Sequence, residues 1–295
     1  MRWANNSLPF ARPLHWVAAL FDGKALEFEF DGIANNIVSR GHRFLKPEQF
    51  RINGVESYLK ECKQHFLMID SESRKASILE QVQDLAQKAG GYIKEDEDLL
   101  NLVNFLVEYP VAIKGNFNSE FLELPKELLV ISMKHHQKYF PVWDKKDNLI
   151  PCFITVSNMP AETGDEIKKG NERVLRARLE DARFFYDEDR KKKIEDFVEP
   201  LKGVVFQKKL GTIYEKVCRI TDVAGILASL ICPQKEQQVR RAAYLSKADL
   251  VSQMVFEFPE LQGVMGGYYA SVSYTHLRAH ETREDLVCRR LVEKK

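Results

Sequence analysis

Between Lys169 and Tyr186 the chain reads Lys169-Gly170-Asn171-Glu172-Arg173-Val174-Leu175-Arg176-Ala177-Arg178-Leu179-Glu180-Asp181-Ala182-Arg183-Phe184-Phe185-Tyr186. Four arginines on about four helical turns are a means of holding phosphate. A guanidinium stays charged and offers a planar fork of donors that matches two phosphate oxygens at once. On a helix over residues 171–193, Arg173, Arg176, Glu180, Arg183 and Asp187 share one face, with Leu175, Leu179, Ala182 and Tyr186 opposite. That is an amphipathic helix docked by its apolar side. Two chemistries remain open for the charged face. It can track a nucleic-acid backbone, or its arginines can pair with Glu180, Asp187 and other carboxylates, each such pair contributing about 0.2–0.5 kcal/mol. The basic run Arg190-Lys191-Lys192-Lys193 needs no ligand, because cations are favoured at a helix C-terminus.

Two further groups have suitable residue types. His135-His136-Gln137-Lys138-Tyr139 follows a helical stretch. Adjacent histidines point apart on a helix, and no spacing supplies a third ligand, so a metal is not expected there. His136 and Lys138 are candidates for contacts to RNA or to a neighbouring domain. Arg40, His42 and Arg43 surround Gly41 in a turn, where they can bind phosphate or pair with acids. His15, next to Trp16, reads as a core histidine.

Several chemistries lack their residues. Gly263-Val264-Met265-Gly266-Gly267 does not have dinucleotide-binding spacing and does not join a strand to a helix. No phosphate-binding Gly-x-x-x-x-Gly-Lys-Ser/Thr loop is present, and no nucleophile–base pair stands out. Five cysteines with no Cys-x-x-Cys suggest reduced thiols in a cytosolic protein. No apolar run reaches the roughly 20 residues that span a bilayer.

The elements that must position these residues fall into two patterns. The first is an α+β mixture. An apolar run over residues 16–21 and an alternating run over 25–30 flank Asp22-Gly23, which predicts a hairpin closed by Asp31-Gly32. Residues 1 to about 60 read as β-rich. Helices are expected over residues 73–88, ending at Gly90-Gly91, over 96–108, and over 125–136 with Pro125 in the first turn. Residues 139–143 and 151–156 form a second hairpin around Asp144 to Asn148. From Thr163 the pattern is nearly all helical, with helices over 210–231 and 236–258 after Pro200. The shift near Pro200 predicts a domain boundary, giving units 1–198 and 199–270.

Arg12-Pro13-Leu14-His15-Trp16, Arg40-Gly41-His42-Arg43-Phe44, the segment from His135 to Pro141, the arginine helix and Leu245-Ser246-Lys247-Ala248-Asp249-Leu250 occur together in this order. With these motifs the chain, from residue 1 to about Ala270, resembles the β subunit of the bacterial tetrameric glycyl-tRNA synthetase. The resemblance implies a mixed α/β-hairpin body followed by a degenerate, incomplete HD-like helical domain. It implies a non-catalytic chain that binds tRNA(Gly) and docks the α subunit in an α2β2 assembly in the cytoplasm. Aminoacylation with ATP and Mg would take place on the α subunit. It implies no cofactor bound by this chain, no membrane and no DNA. Arg40, His42, Arg43, His136, Lys138, Arg173, Arg176 and Arg183 become candidate RNA contacts, and no residue is catalytic. The family usually has arginine where this chain has Gly267. A working HD domain would be a metal-dependent phosphohydrolase, one alternative reading; a non-catalytic structural or RNA-binding module is the other. It needs a cluster of His and Asp, and between Gln137 and Thr275 there is no histidine. Asp249 alone cannot hold such a metal.

The resemblance also implies an internal fragment, preceded in the family by a further segment and followed by an anticodon-binding domain. Residues 271–295 depart from it. Val272 to Thr282 reads like the translation of a transposase-type sequencing adapter and is set aside from fold reasoning. Those residues hold six Lys or Arg and four Asp or Glu, so residues 1–270 carry 38 basic and 39 acidic side chains. Phosphate binding therefore needs a local positive patch, since global charge provides none. An incomplete helical domain should leave Leu227, Leu230, Leu250 and Val255 exposed.

Overall fold

The computed structural model describes Pro9, residues 14–159 and residues 161–275; the side chains of Ala161 and of residues 272–275 lie outside that description. The expectation for residues 271–295 falls almost wholly outside it. In chain order, short strands come first: β1 (Leu20–Phe21), β2 (Lys24–Ala25), β3 (Glu29–Phe30), β4 (Ile33–Ala34), β5 (Val38–Arg40) and β6 (Gln49–Arg51). Then follow α1 (Val55–Gln64), α2 (Ser71–Lys88), α3 (Glu97–Asn104), β7 (Val111–Asn116), α4 (Lys126–Ile131), β8 (Phe140–Trp143) and β9 (Leu149–Ser157). The long α5 (Gly164–Arg190) leads to β10 (Val205–Gln207), β11 (Gly211–Thr212), α6 (Ile213–Ile231), α7 (Glu236–Leu245), α8 (Gln253–Glu257) and α9 (Val264–Thr275). The α+β class holds.

The chain forms two compact units. The first comprises the residues up to Phe117 together with Met133–Val174, and the second comprises Asn118–Ser132 and the residues from Leu175 onward. They divide inside α5 and not at Pro200, because packing between residues far apart in sequence defines them.

In the first unit, β1 and β2 pair around Asp22 (φ 50°) and Gly23 (φ 72°), and β3 and β4 pair around Asp31 (φ 51°) and Gly32 (φ 82°). Both Asp-Gly pairs take the left-handed conformation that two-residue hairpins need. The single alternating strand expected over 25–30 is thus split between two hairpins. Residues 1–60 are also less purely β than expected, since α1 starts at Val55. Helix α2 starts where Asp70 accepts the Ser73 N–H (2.8 Å), and α3 where Asp96 accepts the Leu99 N–H (3.0 Å). Ile78, Val82 and Ala86 of α2 and Leu99, Leu100 and Val103 of α3 pack on Phe140, Val142, Cys152 and Ile154 of a three-stranded sheet. That sheet has the order β7-β9-β8, all antiparallel, with β9 central. The hairpin expected around Asp144 forms, and Asp144 accepts the N–H groups of Lys146 and Asn148 (2.8 and 2.9 Å). The helix expected over 125–136 keeps its regular form only to Ile131, where a wider π-type turn takes over through His136.

In the second unit, Thr212 and Glu215 close a reciprocal cap that starts α6, so the helix begins at Ile213 rather than at residue 210. The helix expected over 236–258 is broken between Leu245 and Gln253. Two buried carboxylates account for the break. Asp189 of α5 accepts the N–H groups of Gln253 and Met254 (3.0 Å each) at the start of α8, and the Tyr269 hydroxyl of α9 (2.8 Å). Asp249, within the break, accepts the N–H groups of Gly263 and Gly266 at the start of α9. Each caps a helix N-terminus, whose amides would otherwise be unpaired. Gly263 has φ +86°, and a Cβ on Gly266 would lie 3.2 Å from the Asp249 carboxyl. The Gly-rich run thus supplies one left-handed turn and one close approach. A side chain at Gly267 would meet nothing within 4 Å.

Burial pushes the Asp249 carboxyl pKa above its ordinary value, and the two amide donors only partly offset this. A raised folded-state pKa favours the protonated form, so its contribution to stability is present below the ordinary value of 3.8 and is lost as pH rises through the folded value. Asp249→Asn carries no such charge. The difference in urea midpoint between wild type and Asp249→Asn is expected to move against wild type as pH rises across that window. A difference that does not change with pH would show that burial leaves this carboxyl unshifted.

Candidate nucleic-acid interface

The arginine helix is held in place differently in its two halves. In the first unit, Asn171 Oδ1 accepts the Tyr139 hydroxyl (2.9 Å), and Glu172 Oε1 accepts the Asn116 N–H at the end of β7 (2.8 Å). Tyr139 is buried and lies parallel to the Phe153 ring, with centroids 4.4 Å apart. Burial pushes its phenol up to about 12. A Cβ on Gly115 would lie 2.3 Å from the Phe153 ring, so glycine at that point of β7 lets the ring seat. Two stretches far apart in sequence, 135–141 and 169–186, thereby meet at one hydrogen bond. Spacing alone did not single out Tyr139, Asn171, Glu172 or Gly115.

Arg173 and Arg176 are exposed, and among the described residues neither has an ion-pair or hydrogen-bond partner. Of the two readings open for this face, pairing with Glu180 and Asp187 at i,i+4 does not occur among the described residues. Arg183, in the second unit, turns instead to the segment before α4. Its Nη2 donates to the Glu120 carbonyl (2.9 Å) and to Glu123 Oε2 (3.0 Å), and its guanidinium lies 5.4 Å from the Phe121 ring centroid. Arg183 is therefore committed to its own fold, and to reach a phosphate it would first have to leave two acceptors. Arg178 sits 3.7 Å from Glu257, and Arg190 lies over Tyr186.

The remaining candidates also separate by exposure. Arg40 and Arg43 are exposed, each within 6 Å of an aromatic ring: Arg40 over Trp16 (5.9 Å) and Arg43 over Phe44 (5.7 Å). His42 between them is fully buried, and its Nδ1 accepts the N–H groups of Phe44 and Leu45 (3.3 and 3.2 Å). It shapes the turn from inside and does not reach a ligand itself. A Cβ on Gly41 would lie 2.1 Å from the Lys46 carbonyl, so this turn closes only around glycine. Lys138 has φ +60° and donates from Nζ to the His135 carbonyl (2.5 Å). His136 is half-buried. His15 is exposed, contrary to a core role; it sits at the start of the described segment, beside an exposed Trp16.

Among the described residues no three His, Cys, Asp or Glu side chains come together as metal ligands, and both oxygens of the buried Asp189 carboxylate face helix amides. Asp249 likewise spends an acceptor oxygen on backbone N–H groups. Among the described residues the phosphohydrolase alternative therefore finds no ligand constellation. No helix among the described residues is long and apolar enough to cross a membrane.

A family model described as "Glycyl-tRNA synthetase beta subunit" matches residues 1–284. The chain belongs to that family. Over 270 residues it is 51% identical to the glycine–tRNA ligase beta subunit of Trichlorobacter lovleyi, covering 92% of this chain and 39% of the relative. It is 50% identical, with the same coverage, to that of Geobacter sulfurreducens, and 48% identical to that of Syntrophus aciditrophicus. This member of the glycyl-tRNA synthetase β family thus spans about two fifths of the length of the curated relatives it matches.

The division among the arginines has a measurable consequence. Arg183→Ala should destabilise the fold by about 1 kcal/mol, a value kept small by partial exposure of the pair. Arg176→Ala should stay within about 0.5 kcal/mol of wild type. Denaturant midpoints of the two variants, measured side by side, check this; equal effects would mean that Arg183 is as free as Arg176.

Proposed function

We propose that this chain is part of the β subunit of a cytoplasmic glycine–tRNA ligase, where it binds tRNA(Gly) and docks the catalytic α subunit. The observation that carries the reading is family membership over nearly the whole chain, joined to exposed arginines without protein partners on a helix anchored at both halves. A guanidinium already desolvated and paired gains little from phosphate, whereas one held out by a rigid helix gains the full bidentate interaction. Arg173, Arg176, Arg40 and Arg43 are therefore the stronger RNA contacts. His136 and Lys138 are the weaker candidates, and Arg183 and His42 each act by holding their own unit in shape. In this scheme the α subunit binds ATP with Mg, forms glycyl-adenylate and transfers glycine to the tRNA 3′ end. The arginines of this chain orient the RNA and take no chemical step.

Arg176→Glu tests the RNA-binding role. With one phosphate no longer neutralised, the slope of log affinity against log salt for tRNA should fall by about one unit, with unchanged circular dichroism. Unchanged affinity and slope would make the exposed arginines bystanders. A second expectation concerns the chain by itself. Incubated with ATP, glycine and tRNA(Gly) but no α subunit, it should yield no charged tRNA. Product formed under those conditions would place the aminoacylation site on this chain.

A further inference from the structure

Of the apolar side chains expected to be exposed in the second unit, Leu227 and Leu230 are, whereas Val255 is buried and Leu250 half-buried. Another exposed element of that unit combines apolar surface with charge. It is the β10–β11 hairpin, where Phe206 (40% exposed) and Leu210 (53%) accompany Lys208 and Lys209 at the tip. The tip is held at several points. Gln207 accepts the Leu210 N–H on its carbonyl (2.9 Å) and the Lys209 N–H on its side-chain oxygen (3.2 Å). Arg219 of α6 donates to the Leu210 carbonyl (3.1 Å), and the Lys216 ammonium of α6 lies 3.8 Å from the Phe206 ring centroid. The hairpin is thus fixed, while Lys208 and Lys209 are exposed and have no ion-pair partner among the described residues. The acids that flank it in sequence are engaged elsewhere: Glu199 with Lys202 (2.6 Å) and Glu215 with the Thr212 N–H (2.7 Å).

The β8–β9 hairpin of the first unit shows that this charge is not a requirement of the turn. Its tip reads Asp144-Lys145-Lys146-Asp147, against Gln207-Lys208-Lys209-Leu210 here. The two tips share one hydrogen-bond pattern. Asp144 accepts the Lys146 N–H on its side chain (2.8 Å) and the Asp147 N–H on its carbonyl (3.1 Å), as Gln207 does for Lys209 and Leu210. At the first tip two aspartates balance the two lysines. At the second a neutral amide closes the same turn, so two positive charges stand uncompensated beside an exposed ring. Lysines next to an exposed aromatic suit single-stranded RNA, since the ammonium groups neutralise phosphates and the ring receives a base face. In an RNA duplex the base faces are stacked on one another, so the ring selects unpaired nucleotides. We propose that the β10–β11 hairpin is a second RNA contact, separate from the exposed arginines. Lys208 and Lys209 hold two phosphates of an unpaired stretch of tRNA, and Phe206 seats a base. The inference rests on the reading that the chain binds tRNA.

The test is binding of fluorescently labelled tRNA(Gly) to this chain, followed by anisotropy across a range of salt, with circular dichroism to confirm that each variant is folded. Lys208→Ala/Lys209→Ala should weaken binding on the order of tenfold at about 0.1 M salt, and lower the slope of log affinity against log salt by about 1.4, as two single-strand phosphate contacts require. Lys145→Ala/Lys146→Ala removes the same charge from the balanced tip and should change neither. Phe206→Leu should weaken binding about tenfold with the slope unchanged, because stacking releases no counterion, and Phe206→Tyr should bind as wild type. If the Lys208/Lys209 pair leaves affinity and slope unchanged while Arg176→Glu weakens binding, the proposal is overturned and the proposed function stands. A wild-type chain that does not bind tRNA overturns both. Equal losses from the two lysine pairs would reduce the effect to general charge, and unchanged affinity in Phe206→Leu would remove the base contact; either result overturns the proposal. So does loss of α-subunit capture by the Lys208/Lys209 pair with tRNA binding intact, because the partner would then be a protein.

Discussion

A carboxylate removed from water is tolerated only when donors replace the water, and Asp189 is 2% exposed. It meets that demand with three hydrogen bonds, two from the first amides of α8 and one from the Tyr269 hydroxyl of α9. The rest of the second unit is arranged around this need. Helix α8 must begin where its amides can face α5, so the chain between α7 and α8 cannot continue as a regular α-helix and tightens to a short 3-10 turn over Ala248–Val251. Tyr269 must be buried to reach the carboxylate, and burial together with the nearby negative charge holds its proton firmly. Asp249 repeats the device one helix further on, where the glycines at 263 and 266 allow its approach.

The cations differ from one another in the same respect. Arg74 is buried and spends its donors on the Asn104 carbonyl and side-chain oxygen and on the carbonyls of Met68 and Ile69. Arg183 is spent on two glutamates and a ring. Arg173 and Arg176 are spent on nothing in the described protein. Those two charges stay in water, in a chain with almost no net charge.

Much of this was legible in residue order because it depends on local forces. Asp22-Gly23 and Asp31-Gly32 marked turns because few other pairs accept two left-handed residues in succession. Helices α2 and α3 followed from apolar spacing and from Asp70 and Asp96 as caps. The amphipathic face of α5 came out with its buried row, Leu175, Leu179, Ala182 and Tyr186, as the spacing required. The strand β7 was not legible. Val111-Ala112-Ile113-Lys114-Gly115-Asn116 lacks alternation, and it becomes a strand because β9 offers it a ladder. Nor was α1 legible, following as it does directly on a run of strands.

By itself, then, the sequence determined the turns, the helix faces, the α+β class and the family, because each rests on residues within a few positions of one another or on the order of motifs. Tertiary structure alone decided which charged groups are free. Arg183 is lost to Glu120 and Glu123, some 60 residues away, and His42 is turned into the interior, while Arg173 and Arg176 stay in water. It also decided where the units divide, since the segment 118–132 joins residues beyond 174 rather than its own neighbours. The physical reason is that an ion pair or a buried cap depends on distance in space, and a linear pattern records distance only along the chain.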